Sequence, residues 1–205
     1  MKILILGSEG SMGRRYQAIL ESGHHKFWCY DTKNHQRLEN FDEFTHFILA
    51  TPTHTHFEYL KKLIPMNKII LCEKPITKNI EELYEIDKML KNSMSKFTMM
   101  LQYSELTTPY SAGPSFYDYF KTGNDGLFWD CMQTIHLAEG KVDVDNKSPV
   151  WRCKINGRRI GIEYMDLAYV AFVNRWLKGN VVQDFNRIIS THKKCKELQD
   201  LYGGN

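Results

Sequence analysis

No apolar run in this 205-residue chain approaches the ~20 residues that a bilayer-spanning helix requires, so the sequence offers no membrane span. The N-terminus carries one lysine before a short apolar stretch and then glycines, too little for a signal-peptide core. Cysteine is sparse and dispersed. The five, at Cys29, Cys72, Cys131, Cys153 and Cys195, never form Cys-x-x-Cys, which excludes a disulfide framework and a cysteine zinc site. No block of one charge sign occurs either. With 27 basic and 24 acidic residues interspersed along the chain, the formal charge is +3, and neither a nucleic-acid arm nor a membrane-surface patch is indicated. There is no internal repeat and no low-complexity tract. A soluble protein of a reducing cytoplasm is expected, with no nucleic-acid or membrane partner.

What is present is an ordinary globular composition, 42% hydrophobic, enough to bury a sizeable core. "KILILG" is an unbroken apolar run ending in glycine, the signature of a strand buried on both faces. "MGRRYQAILESG" follows with helical spacing at Met12, Tyr16, Ile19 and Leu20, and Gly23 stops it. "KFWCYD", "THFILATPT" and "KIILCEKPI" read as further strands, with "HFEYLKKLI" a helix between the last two. "KNIEELYEIDKMLKNS" carries Ile80, Leu83, Ile86, Met89 and Leu90 on one stripe, and "KFTMMLQY" reads as a fifth strand. Strands alternating with helices imply parallel pairing through right-handed crossovers. The expected fold class is α/β: a Rossmann-type doubly wound parallel sheet over 1–104, followed by a smaller α+β domain over 105–205.

The texture changes after residue 104. "SELTTPYSAGPSFYDYFKTGNDG" is rich in Ser, Thr, Pro, Gly and Tyr and reads as a connector or an irregular segment over a site. Farther on, Asn156-Gly157 separates "WRCKI" from "RRIGI", a strong hairpin signal because both turn positions need positive φ. "MDLAYVAFVNRWLKGN" then predicts an amphipathic helix stopped by Gly179, and "QDFNRIISTHKKCKELQDLYG" a last helix on which Thr191–Lys194 read as a solvated face.

Gly7, Gly10 and Gly13 follow the first strand with Gly-x-x-Gly-x-x-Gly spacing, a variant of the dinucleotide fingerprint. In that reading one glycine makes the turn, one admits a pyrophosphate to the backbone, and one lets helix and strand pack closely. The alternative is a tight turn and nothing more. Asp31 ends the second strand 18 positions after Gly13, close to the ~20 expected of an acid that binds an adenosine ribose. Its carboxylate repels a 2′-phosphate and so favours NAD, while nearby Lys33 leaves NADP open; the alternative is an aspartate that caps a turn.

"GSMGRRY" at the first turn, "ATPTHTHFEYL" after the third strand and "CEKPIT" after the fourth together resemble the glucose-fructose oxidoreductase, inositol dehydrogenase and rhizopine-catabolism (Gfo/Idh/MocA) family of nicotinamide-dependent oxidoreductases. The resemblance runs from Met1 to about Tyr103. It implies that Gly7, Gly10, Ser11, Met12 and Gly13 hold the pyrophosphate and Asp31 the ribose. Thr51, Pro52, Thr53 and His56 then surround the nicotinamide ribose, and Glu73 and Lys74 lie under the nicotinamide. Pro75 is a cis residue in the family, and Lys74 is its catalytic lysine, the acid/base partner of a substrate hydroxyl. Independently of the family, a partly desolvated lysine has its pKa moved toward a range useful for proton transfer.

The second half departs from the pattern. The family supplies Asp-x-x-x-His from a helix, whereas "DCMQTIHLAEG" places Asp130 and His136 six positions apart. They are retained as candidate relay residues, with a helix-face histidine as the alternative. The span after Tyr103 is about half what the family devotes to a substrate domain, so a trimmed sheet or a pocket completed by another subunit, and hence a homo-oligomer, is expected. His54 and His56 form His-x-His, but no third ligand is placed and no metal is expected. The functions this leaves are an NAD(P)-dependent oxidoreductase of a sugar, cyclitol or related hydroxyl or carbonyl compound, a non-catalytic dinucleotide-binding or regulatory protein, and a biliverdin-reductase-like reductase of a planar substrate.

Overall fold

Ile3–Leu6 form the first strand, β1, and all four side chains are inaccessible to solvent. Such a strand is at home only in the middle of a sheet covered on both faces. The computed structural model describes residues 1–34, 40–106, 116–118, 129, 132–137, 152–155, 158–159 and 162–202. The chain divides into two units, Met1–Met100 and Leu101–Asn205.

In the first unit β1 is flanked by β2 (Phe27–Tyr30) and β3 (His46–Leu49), and the sheet continues through β4 (Ile69–Cys72) to β5 (Lys96–Met99). All neighbours are parallel, in the order β2-β1-β3-β4-β5. Helices α1 (Ser11–Ser22), α2 (Thr53–Leu63) and α3 (Ile80–Lys91) carry the crossovers. They cover the sheet with Tyr16 and Leu20, Leu60 and Leu63, and Leu83 and Ile86, all fully buried. On α3 burial is concentrated on Leu83 and Ile86; Ile80, Met89 and Leu90 of the expected stripe are only partly covered. This is the doubly wound Rossmann-type α/β fold. The strand order reverses beside β1, so the crevice outside the carboxyl ends of β1 and β3 is where such sheets bind ligands.

In the second unit β6 (Phe116–Asp118), β7 (Arg152–Ile155) and β8 (Arg158–Arg159) make an antiparallel sheet. Ile155 pairs with Arg158, the register of a two-residue hairpin, although Asn156 and Gly157 themselves lie outside the described residues. Most of the Ser- and Pro-rich stretch after residue 104 also lies outside them. Three helices are described: α4 (Met132–Leu137), α5 (Ile162–Leu177) and α6 (Phe185–Tyr202). The α5 helix packs on the short helical turn Gln102–Leu106, and α4 packs on α6. Gly179 ends α5 at φ +72°, where the N–H groups of Gly179 and Asn180 reach back to the carbonyls of Trp176 and Arg175.

One expectation fails on α6. Thr191 and His192 are buried, at 5% and 0% exposure, rather than solvated. Helical phase is the reason: Ile188, His192, Cys195 and Leu198 recur at three- and four-residue spacing along one buried stripe, and the polar letters of "STHKK" conceal it.

Candidate functional site

At the end of β1 the chain turns at Gly7, whose φ is +84°. A Cβ there would stand 2.7 Å from Ala50 C and O and from Thr51 N, so the turn is pressed against the end of β3. The N–H groups of Gly7 and Ser8 donate to the Tyr30 carbonyl at 2.9 and 3.2 Å, fixing the same turn to β2. Gly13 allows α1 to sit close, since a Cβ on it would fall 2.1 Å from Gly7 O. Gly10 is different: a Cβ there meets nothing nearer than 3.4 Å. It precedes α1, which has neither a side-chain cap nor an acid in its first turn. The start of α1 therefore has no side-chain cap of its own, and the helix dipole there favours an anion. Ser11 is exposed and Met12 half-buried at this opening.

Asp31 directly follows β2 and is 8% exposed. Its Oδ2 accepts from the N–H of Glu9 in the glycine turn at 3.0 Å, and its Oδ1 from the N–H of Lys33 at 3.0 Å. The carboxylate thus caps a turn and abuts the glycine loop at once, and each oxygen retains a lone pair. Beside it a cavity of about 390 Å³ opens among Tyr30, Phe41, Thr55, Tyr59 and Lys62. Burial, with Tyr30 and the Asp31 charge nearby, pushes the Tyr59 hydroxyl up in pKa. Neither tyrosine was singled out by the sequence, because the wall of this cavity is assembled from separate elements.

The loop after β3 carries Thr51, Pro52 and Thr53, partly or fully exposed, ahead of His56 on the first turns of α2. His56 is 1% exposed. Its Nε2 lies 2.8 Å from the Thr51 carbonyl and its Nδ1 3.1 Å from the carbonyls of Pro75 and Ile76, so the ring ties the β3 loop to the β4 loop. His54 is exposed, and among the described residues no group of three His, Cys, Asp or Glu is placed to hold a metal.

Glu73 is buried just beyond β4. Tyr16 Oη of α1 donates to its Oε1 at 2.5 Å, and the Lys74 N–H donates to its Oε2 at 3.2 Å. Burial raises the Glu73 pKa, opposed first by the Tyr16 hydrogen bond and then by the Lys74 charge. Glu73 is therefore a strut between the glycine-turn helix and the backbone of Lys74. Tyr16 and Glu73 are 57 positions apart, and no local pattern announces their pairing. The Lys74–Pro75 peptide is cis, and Lys74 is half-buried.

In the second unit His136 lies on α4, with Nδ1 2.8 Å from Thr191 Oγ1 of α6. Asp130 lies outside the described residues.

An NAD molecule fits the residues of the first unit. The test is Gly10, where a side chain would meet little protein but would fill the space above the uncapped start of α1. Residues 11–100 match the family model described as "Oxidoreductase family, NAD-binding Rossmann fold". No curated protein sequence matches the chain. Solved structures of similar fold include a WlbA (WbpB) dehydrogenase from Thermus thermophilus in complex with NAD and alpha-ketoglutarate, with 12% identity, TM-score 0.68, and coverage of 98% of this chain and 95% of that one. A myo-inositol dehydrogenase from Corynebacterium glutamicum gives 11% identity, TM-score 0.69, and coverage of 98% and 96%. A probable dehydrogenase from Thermotoga maritima gives 13%, 0.66, and 97% of each chain. At such identities these likenesses speak for the fold. With the family match over residues 11–100 and the glycine-turn geometry together, the first unit has an NAD-binding Rossmann fold similar to that of the Gfo/Idh/MocA oxidoreductases.

Proposed function

We propose that this NAD-dependent oxidoreductase transfers a hydride between the nicotinamide and a sugar, cyclitol or related hydroxyl or carbonyl compound, with Lys74 as the acid/base. The observation that carries this reading is the gathering of the glycine turn, Asp31 and Lys74 at the carboxyl edge of one parallel sheet, braced by Tyr16–Glu73. Bound NAD supplies the hydride acceptor or donor. The N–H groups at the start of α1 hold the pyrophosphate, with Gly10 keeping its approach open, and Asp31 accepts from the ribose hydroxyls and disfavours a 2′-phosphate. Lys74 takes the proton of a substrate hydroxyl during oxidation and returns it during reduction. Its backbone direction is set from one side by Glu73 and from the other by His56, which grips the two carbonyls that follow. The resemblance that suggests this chemistry also suggests a homo-oligomer, which light scattering of the purified protein tests.

The decisive experiment is calorimetric titration with NADH and with NADPH, using Asp31→Ala as control. NADH binding tighter than NADPH binding, weakened at least tenfold by Asp31→Ala, is the expected result, since a lost hydrogen bond to a charged group costs about 1.5–3 kcal/mol. Binding of neither nucleotide overturns the reading. Lys74→Ala is expected to abolish turnover of a substrate found by screening polyols while changing NADH affinity by less than about threefold.

A further inference from the structure

Proton bookkeeping around Thr191 decides the state of His136. The Thr191 hydroxyl lies 2.8 Å from His136 Nδ1 and 2.8 Å from the Arg187 carbonyl one helical turn back. That hydroxyl has a single proton, and a carbonyl can only accept. The proton goes to the Arg187 carbonyl, which leaves Thr191 Oγ1 presenting a lone pair to the imidazole. Nδ1 must then carry the ring proton, and in the neutral ring Nε2 carries the lone pair. Among the described residues Nε2 has no hydrogen-bond partner.

Other features hold this arrangement. The Arg187 guanidinium donates to the His136 carbonyl at 2.8 Å, so α4 is tied to α6 through both the backbone and the ring of one residue. Partial burial, and secondarily the Arg187 charge, lower the His136 pKa to about 4, which keeps the ring neutral near pH 7. His136 lines a cleft of about 730 Å³ together with Asn186, Arg187, Ser190 and Lys193. The charged groups on the cleft also include Asp184, Lys194 and Glu197, of which Lys194 and Glu197 pair with each other at 3.0 Å. An amide, a hydroxyl and cations supply donors there, and Nε2 supplies a neutral acceptor.

We propose that Thr191 is a positioning residue that locks His136 as the Nδ1–H tautomer, so that Nε2 accepts a hydrogen bond from a hydroxyl of a polyol or sugar in the α4–α6 cleft. The ligand class rests on the proposed function above; the tautomer does not. In the resembled family an aspartate accompanies the histidine; here the last helix brings a threonine hydroxyl to the ring.

The test is long-range ¹H–¹⁵N NMR on the full chain at pH 7, with His136 assigned by His136→Gln. The expected spectrum shows a protonated Nδ1 and an unprotonated Nε2, preserved in Thr191→Ser and shifted toward the Nε2–H tautomer in Thr191→Val. An Nε2–H ring in the parent protein, or a Thr191→Val ring unchanged from it, overturns the assignment. Titration with myo-inositol and with glucose is expected to move the His136 Nε2 resonance, with at least tenfold weaker binding in Thr191→Val and near-parent binding in Thr191→Ser. No movement with either polyol overturns the ligand. NADH calorimetry on the same samples separates the two readings, because loss of nucleotide binding with the Nδ1–H tautomer intact sinks the oxidoreductase and leaves the Thr191 assignment standing.

Discussion

A Cβ at Gly13 would overlap Gly7 O at 2.1 Å and Ser8 at 2.7 Å, all backbone atoms that cannot swing aside, whereas one at Gly10 meets nothing closer than 3.4 Å. Gly13→Ala is therefore expected to lower unfolding stability by about 3 kcal/mol, as overpacking against backbone does. Gly10→Ala should leave stability within about 1 kcal/mol, because φ at Gly10 is −71° and suits alanine, yet weaken NADH at least tenfold. Chemical denaturation and calorimetry on the two variants check this, and equal loss of stability in both would remove the case for Gly10 as the ligand-facing position. Tyr16→Phe probes the strut beneath Lys74. It deletes the donor to a buried carboxylate, so a loss of about 1–3 kcal/mol and a further rise of the Glu73 pKa are expected, read from denaturation and from infrared titration of the carboxyl band. Of these features, the glycine turn was legible in sequence because Gly7, Gly10 and Gly13 fall within a single short stretch directly after β1. The Tyr16–Glu73 pair and the carbonyl grip of His56 were not, since each joins residues brought together only by the sheet.

At the scale of elements, the ends of α3 reinforce the apolar stripe that the sequence displays. Asn79 accepts from the Glu81 N–H at 3.0 Å, Glu81 and Glu82 occupy the first turn, and Lys88 and Lys91 the last. Each charge opposes the dipole end that it faces. Asn79→Ala should cost about 1 kcal/mol, measurable as a lower denaturant midpoint with an unchanged slope. The α6 helix shows the opposite case. Its existence was legible from its length and periodicity, but its facing was misread at Thr191 and His192, because histidine and threonine count as polar in any pattern that scores residues singly. His192 is accommodated by its Nδ1, which meets the Ile188 carbonyl at 2.8 Å, and by the Trp129 ring, 6.0 Å away between centroids.

For the whole molecule, the buried histidines set an acid limit. Burial lowers His192 from 6.5 to about 4, and His136 to about 4 with Arg187 as the second cause. Both folded values lie below the unfolded one, so between about pH 6.5 and pH 4 the unfolded chain binds more protons than the native one. Their stabilisation is whole above pH 6.5 and is lost as pH falls toward 4, by about 3 kcal/mol for His192 and less for the partly exposed His136. Denaturant midpoints followed by tryptophan fluorescence across that window check it. Subtraction of the same curve for His192→Leu isolates the histidine from the carboxylates, and identical slopes in the two proteins would refute its role.

The chain's local order by itself determined the alternation of apolar strands and amphipathic helices, and with it a parallel sheet and the edge where a dinucleotide belongs, because short-range periodicity and turn chemistry act within a dozen residues. The hairpin register around 156–157 was local in the same way. Tertiary structure alone decided which side chains serve as struts: Glu73 against Tyr16, His56 between two loops, Thr191 against His136. Hydrogen bonds across 15 or more residues depend on how helices settle on the sheet and on one another. That is a matter of packed volume and buried polarity, and no spacing along the chain encodes it.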